Sequence, residues 1–289
     1  MNVEKAIVVR NLSYTYQANT PLASPALRNV EMEVLPGQFV AIIGQTGSGK
    51  STFIQHLNGL IPTGPGRIWI DGQDIGLKGT NLKGLRQKVG LVFQYPEHQV
   101  FEETVFADIA FGPKNQGYSG ELLVEKVRRA MGLVQLDYDA FRERSPLELS
   151  GGQLRRVAIA GVLAMEPSIM ILDEPTAGLD PKTRDEILEQ IARLHSETGM
   201  TVLLVSHSME EVARLADLVV VFHDGAIALQ GPPRELFQRD AELTALGLGV
   251  PQIIRVMKGL VNQGIAVDTR VLTTQEAADQ IIQRWHKNA

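Results

Sequence analysis

At 289 residues and 44% hydrophobic content, the chain can bury a substantial core and is expected to form one large domain plus an appendage. A net charge of −5 leaves no basic footprint of the kind that nucleic acid requires, so no nucleic-acid partner is expected. The absence of cysteine excludes disulfides, thiolate metal sites and thiol nucleophiles. Met1–Lys5 is polar and runs into a strand-like stretch, so no signal-peptide pattern is present. The longest apolar runs, such as Val157–Met165 and Leu218–Phe222, fall short of the ~18 residues of a bilayer span. The expectation is a soluble, cytoplasmic protein that reaches a membrane only through partners.

The first part of the chain reads as antiparallel β. β-Prone stretches at Ala6–Tyr16, Leu27–Val34 and Phe39–Ile43 are broken by Asn, Gly and Pro turns. Gly66–Ile70 and Gln73–Ile75 flank Asp71-Gly72, a hairpin signal. From about Gly90 the pattern changes. Short buried runs at Leu91–Phe93, Ile169–Leu172, Val202–Val205 and Leu218–Phe222 alternate with amphipathic helical stretches, as in a parallel sheet covered by helices. Residues 95–150 read as mostly helical. One helix starts at Ser119 and carries Leu122, Leu123, Val127 and Met131 on an apolar stripe. A composition shift near Asp240 introduces two further helices, Pro251–Val261 and Thr274–His286, the second with a Thr273/Glu276 capping box.

Gly44-Gln45-Thr46-Gly47-Ser48-Gly49-Lys50-Ser51 fits G-x-x-x-x-G-K-[ST] between an apolar strand and a helical stretch that continues through Thr52 to Leu57. Glycines let successive backbone N–H groups turn inward around phosphates, and the helix N-terminus adds donors and a positive dipole. Lys50 places a charge on the β- and γ-phosphates, and Ser51 offers a hydroxyl to Mg²⁺. Ile169–Leu172 is a buried strand ending in two acids. Asp173 would support Mg²⁺, directly or through water, and Glu174 would polarise the attacking water as general base. His207 follows the strand Thr201–Val205, at the strand end where α/β sites gather, and reads as reaching the γ-phosphate. Gln94, after Leu91–Phe93, could bridge Mg²⁺ or the attacking water to the loop beyond. Tyr16, preferred over Tyr14 because it lies nearer the turn, could stack on adenine or simply pack on the sheet.

Leu149-Ser150-Gly151-Gly152-Gln153 opens another helical stretch, Leu154–Ala164, and makes a second anion-binding nest. One domain's phosphate loop cannot use both nests, which suggests that this one faces a γ-phosphate held by another subunit. Together with the phosphate loop, Asp173-Glu174, Gly178-Leu179-Asp180 and His207, it resembles the nucleotide-binding subunit of ABC transporters over about residues 3–235. The resemblance implies an α/β P-loop ABC ATPase core with a mixed sheet, an antiparallel β subdomain and a helical subdomain at about 95–165. A small C-terminal helical extension, 236–289, would serve subunit pairing. It implies two subunits sandwiched head to tail around two Mg-ATP molecules. Gln94 would be the Q-loop residue, Ser150, Gly152 and Gln153 would serve the partner's ATP, Asp180 would be the D-loop acid, and His207 the switch histidine.

A narrower resemblance lies in Gln94-Tyr95-Pro96-Glu97-His98-Gln99-Val100-Phe101-Glu102-Glu103-Thr104-Val105, in Asp108–Pro113 and in Arg155–Pro167. These look like the ATPases of energy-coupling factor importers for vitamins or transition metals, and the Pro-Glu-His-Gln form is similar to the second of two paralogues. That resemblance implies a heterodimer with a paralogous ATPase, a transmembrane coupling protein and an interchangeable substrate-binding membrane protein. Glu97, Glu102, Glu103 and Asp108, interleaved with Tyr95, Val100, Phe101, Val105 and Phe106, would form an acidic, apolar groove for an arginine-bearing helix. An amino-acid or metal importer outside that group is the alternative. A DNA-repair type would need a coiled-coil insertion between Lys50 and Asp173, which the sequence lacks.

Overall fold

The computed structural model describes residues 4–95 and 99–288. Expectations that touch Met1–Val3, or Pro96, Glu97 and His98 of the Pro-Glu-His-Gln stretch, lie outside the described residues. In chain order the elements are β1 (Ile7–Tyr16), β2 (Ser24–Val34), β3 (Phe39–Gly44), α1 (Lys50–Leu57), β4 (Ile68–Ile70), β5 (Gln73–Asp74), α2 (Leu82–Lys88), β6 (Val89–Val92), α3 (Val105–Asn115), α4 (Gly120–Leu133), α5 (Tyr138–Phe141), α6 (Gly151–Leu163), β7 (Ile169–Asp173), α7 (Pro181–Thr198), β8 (Thr201–Val205), α8 (Met209–Leu215), β9 (Leu218–His223), β10 (Ala226–Gly231), α9 (Pro233–Leu236), α10 (Asp240–Ala245), α11 (Gln252–Asn262) and α12 (Thr274–Asn288). The chain divides into two units. The first comprises Met1–Arg10, Met32–Gln38 and Ile54–Leu204, and the second Asn11–Glu31, Phe39–Phe53 and Val205–Ala289.

In the first unit, the start of β1 pairs antiparallel with β4 (Ile7↔Ile70, Val9↔Ile68). β4 then folds back on β5. Asp71 and Gly72 take φ of 47° and 75°, the two left-handed positions of a type I′ turn, so the expected hairpin is present. β6 runs parallel to β7, with Val89 opposite Ile169 and Val92 opposite Leu172. Every residue of both strands is buried, as a sheet covered on both faces requires. Helix α3 packs against α4 and α6. On α4 the inner stripe is Leu123, Val127, Ala130 and Met131. Leu122, expected on that stripe, is 62% exposed. It lies about 100° around the helix from Leu123, which takes the inward position instead.

His56, at the end of α1, is buried. Burial lowers its pKa to about 4, against a backbone contact from Ile61 that acts the other way. A histidine depressed in the folded state is neutral there while the unfolded chain still takes up a proton below about pH 6.5. Its contribution to stability is therefore full above that pH and is lost as pH falls towards 4. Between pH 7.5 and 5 the loss amounts to about 2 kcal/mol. Denaturant titrations of wild type and His56→Gln at these two pH values should show a smaller acid loss in the variant; equal losses would remove His56 as the cause.

In the second unit β9 is the central strand. It runs parallel to β3, with Val40 opposite Leu218 and Gly44 opposite Phe222, and antiparallel to β10. This corrects the expectation that Phe39–Ile43 belongs with the antiparallel strands. All six residues of β3 are buried, and its continuous apolar run suits a parallel, doubly covered position. The sequence reading missed β10. Its connection, Asp224-Gly225, has φ of 46° and 80°, the same turn chemistry as Asp71-Gly72. Ala41 and Ile43 of β3, Val219 and Val221 of β9, Val212 of α8, Phe237, Leu243, Val250 and Ile254 form one hydrophobic cluster. Helices α9, α10 and α11 thus share a core with the strand that leads into the phosphate loop, while Ala277 of α12 packs in a separate cluster with Met257 and Val271. The two expected C-terminal helices are α11 and α12. The α12 capping box is half made: Glu276 N–H donates to Thr273 Oγ1 at 3.2 Å. The Glu276 carboxylate instead accepts from Leu272 N–H at 2.9 Å and pairs with Arg234 at 2.6 Å.

Candidate nucleotide site

The second unit carries Tyr16, residues 44–52 and His207, and the first unit carries Gln94, Ser150, Gly152, Gln153, Asp173, Glu174 and Asp180. The phosphate loop leaves β3 and closes into α1, whose first turn holds no acid, so the positive helix end is not neutralised locally. Gly49 has φ of 104°, and a Cβ there would lie 2.6 Å from the Ala26 carbonyl oxygen. Only glycine fits this position, because both the left-handed backbone and the close approach forbid a side chain. Ser48 carbonyl accepts from Gly225 N–H at 3.0 Å, so the β9–β10 turn braces the loop. Lys50 is buried, and its Nζ donates to the carbonyls of Gly44 (2.8 Å) and Gln45 (2.9 Å). That ammonium is thus fixed across the mouth of the loop, where a polyphosphate would meet it. The buried Ser48 Oγ has no partner among the described residues.

Tyr16 is exposed, stacks edge-on to Tyr14 with ring centroids 4.9 Å apart, and its hydroxyl lies 3.1 Å from Thr52 Oγ1. The structure therefore brings the expected aromatic to the start of α1. The α10–α11 segment reaches the same loop: Gly247 has φ of 70°, and a Cβ there would lie 1.7 Å from Gln45 Nε2. No sequence signal marked this contact. His207 stands exposed between β8 and α8. Beside it, Ser206 Oγ donates to Glu211 at 2.6 Å and Ser208 caps α8, which fixes the backbone that carries the imidazole.

In the first unit, β7 delivers a buried Asp173 and a half-buried Glu174. Glu174 has φ of 47°, an uncommon conformation for a non-glycine residue and one that turns the chain sharply off the strand. Gln94 Nε2 donates to Glu174 Oε2 at 2.9 Å. The two residues, 80 positions apart in sequence, share one polar contact. Ser150 N-caps α6: its hydroxyl accepts from Gln153 N–H at 3.3 Å, while Gln153 Oε1 accepts from Ser150 N–H at 3.0 Å. This capping box orders the helix end and leaves its first turn free of acids. A Cβ on Gly152 would lie 2.7 Å from Thr183 Cγ2. Asp180 N-caps α7, accepting from the N–H groups of Lys182 and Thr183, both at 3.1 Å. Hydrogen bonding from Thr183, foremost from its side chain, holds the Asp180 carboxyl below its ordinary pKa. Ser150, Gly152, Gln153, Asp180 and Thr183 line one cavity of about 490 Å³.

The glycine loop before α1, the capped start of α6, the acids after β7 and the glutamine on Glu174 match the features expected from the sequence. A model of the ABC transporter family matches residues 27–177. The energy-coupling factor transporter ATP-binding protein EcfA2 of Clostridium tetani is 50% identical over 284 residues, covering 98% of this chain and 99% of its own length. The chain belongs to the ABC transporter family. An EcfA2 of Symbiobacterium thermophilum is 51% identical over 275 residues, covering 95% of each chain. Among solved structures, CbiO1 of Clostridium perfringens, described as part of the ABC transporter complex CbiONQ, superposes with a TM-score of 0.75 at 34% identity, covering 88% of this chain and 99% of its own. An ATP-binding cassette solved as a dimer in a post-hydrolysis state with ADP and Pi gives a TM-score of 0.70 at 30% identity, covering 78% of this chain and 98% of its own. This ABC protein is thus an ATP-hydrolysing subunit of an energy-coupling factor transporter, with the α/β fold expected from its sequence. Among the described residues, no helix is long and apolar enough to cross a membrane.

Proposed function

We propose that this ABC ATPase binds Mg-ATP through the loop 44–52, with Lys50 on the β- and γ-phosphates and Tyr16 against the adenine. Glu174 acts as general base, Gln94 is the sensor on that base, and His207 reaches the γ-phosphate. The Gln94–Glu174 contact at 2.9 Å carries this reading, because it joins the acid at the strand end to the segment that follows β6. Ser51, Asp173 and Gln94 would hold Mg²⁺, which supplies charge neutralisation at the phosphate oxygens. The donor set suits it: hydroxyl, carboxylate and amide oxygens are hard ligands. Among the described residues no cluster of three or more His, Cys, Asp or Glu forms a cage for a metal. Mg²⁺ characteristically uses one or two carboxylates, here Asp173, plus substrate phosphates and water.

Ser150, Gly152, Gln153 and Asp180 are read as serving the ATP of a second subunit, a paralogous ATPase in a heterodimer. The C-terminal extension is read as supporting that pairing. The other partners are a transmembrane coupling protein and an interchangeable substrate-binding membrane protein, so the ATPase works peripherally at the cytoplasmic membrane face and powers uptake of vitamins or other micronutrients.

The docking segment needs correction in two residues. Asp108 is buried and accepts from the N–H groups of Phe101 (2.8 Å) and Glu102 (3.1 Å). It therefore holds the segment's backbone and cannot receive a partner's arginine. Val105 is fully buried and so is not an exposed apolar contact. What stays available is Tyr95, exposed, and Phe101, 63% exposed and edge-on to Phe111 at 4.9 Å, with Glu102 half-buried and Glu103 exposed. Phe101 and Phe111 border a depression of about 420 Å³. Its occupant is read as an arginine-bearing cytoplasmic helix of the coupling protein, paired with Glu102 and Glu103. Losing one partner of an Arg–carboxylate contact buried on docking costs about 3–5 kcal/mol, against under about 1 for a surface pair. Pull-down of the membrane subunits with the double variant Glu102→Arg/Glu103→Arg is expected to fall at least about ten-fold, with nucleotide affinity of the isolated ATPase unchanged. Normal recovery and normal uptake would remove both residues from the docking surface.

A further inference from the structure

The loop from Glu174 to Asp180 joins the residue read as general base to the residue that caps α7. It contains two internal turns, with Ala177 N–H donating to Glu174 carbonyl at 3.1 Å and Leu179 N–H donating to Thr176 carbonyl at 3.3 Å. Gly178 takes φ of 75°. These contacts are local and do not tie the loop to the body of the protein. Arg155 does. It lies in the second turn of α6, is 2% exposed, and its Nη1 donates to the carbonyls of Pro175 (2.8 Å) and Ala177 (2.9 Å). Its neighbour Arg156 faces elsewhere, to Glu186 at 2.7 Å and the Val134 carbonyl at 3.3 Å. A buried guanidinium is costly to desolvate, and here it is spent on main-chain carbonyls next to Glu174. Its planar fork offers directed donors, which an ammonium cannot reproduce in the same geometry.

We infer that Arg155 is a positioning residue: through Pro175 and Ala177 it sets the backbone that aims Glu174 and carries Asp180. This rests on reading Glu174 as the base. It also gives α6 a second task. The helix whose capped end presents Ser150 and Gly152 is the helix that holds the hydrolytic loop of the same chain.

The test uses the full-length chain in the ATPase complex with which it purifies, carrying Arg155→Met or Arg155→Lys. Misplacing a reacting group by about an ångström costs on the order of 10² in rate. For Arg155→Met, kcat should fall by about ten-fold or more with KM for ATP within about two-fold. Hydrogen exchange of the 173–180 segment should rise, and Arg155→Lys should recover part of both. In a Glu174→Gln background, Arg155→Met should add less than about two-fold to the loss, since its route runs through the missing base. If Arg155→Met does not fold, Arg155→Lys alone must show the lowered kcat and raised exchange. Unchanged exchange, or a kcat loss undiminished in the Glu174→Gln background, overturns the inference. Wild-type turnover in Glu174→Gln alone would instead overturn the base assignment, and the exchange measurement would still decide whether Arg155 holds the loop.

Discussion

Glu174→Gln is expected to retain ATP and lose turnover by about 10² or more, close to 3 kcal/mol in the barrier. The substitution keeps the shape of a side chain that leaves β7 at a φ of 47°, and its amide can still meet Gln94, so neither the strand nor the contact is forfeited. What disappears is the group able to take a proton from the attacking water. Because binding relies on the phosphate loop, the variant should accumulate a closed, ATP-loaded pair that elutes as a larger species on gel filtration. Lys50→Ala should do the reverse and weaken nucleotide binding itself, since its ammonium is the charge fixed at the loop mouth. Steady-state hydrolysis near wild type for Glu174→Gln in the assembled complex would sink the assignment.

The second large effect separates composite from private sites. Ser150 closes the capping box of α6 and stands exposed on a cavity shared with Gly152 and Asp180. If that face serves the partner's ATP, Ser150→Arg combined with a phosphate-loop lysine variant of the partner places both lesions in one site. Roughly half of the hydrolysis in a single turnover should survive, because the other site keeps its acid, loop and capped helix. Ser150→Arg combined with Lys50→Ala in this chain strikes both sites and should reduce hydrolysis to background. Equal loss in the two combinations, in single-turnover as well as steady-state assays, would contradict the shared arrangement.

How much of this was legible depended on the distance over which each feature is determined. The phosphate loop is a contiguous pattern whose strand and helix flanks are also contiguous, so the turn from Gly44 to Ser51 between β3 and α1 is legible from spacing alone. The Asp71-Gly72 hairpin was equally local. Asp224-Gly225 carries the same signal and was passed over, because Ala226–Gly231 alternates weakly and none of its residues is fully buried. The parallel pairing of β3 with β9 joins Val40 to Leu218, and no short-range pattern records such a partner. Asp108 shows the limit most clearly. Sequence displays a charge among apolar residues, but whether that charge faces solvent or the N–H groups of Phe101 and Glu102 is decided by the fold of the preceding segment.

The backbone conformation of Gly247 limits how this molecule can be recombined. A tail taken from another cassette and fused after β10 would arrive with its own residue at the position that now faces the phosphate loop. Any Cβ there meets the Gln45 side chain and a backbone at φ of 70°. Gln45 is exposed and its amide can swing aside, so what a transplanted tail has to keep is the glycine itself, whose φ of 70° strains any residue with a side chain.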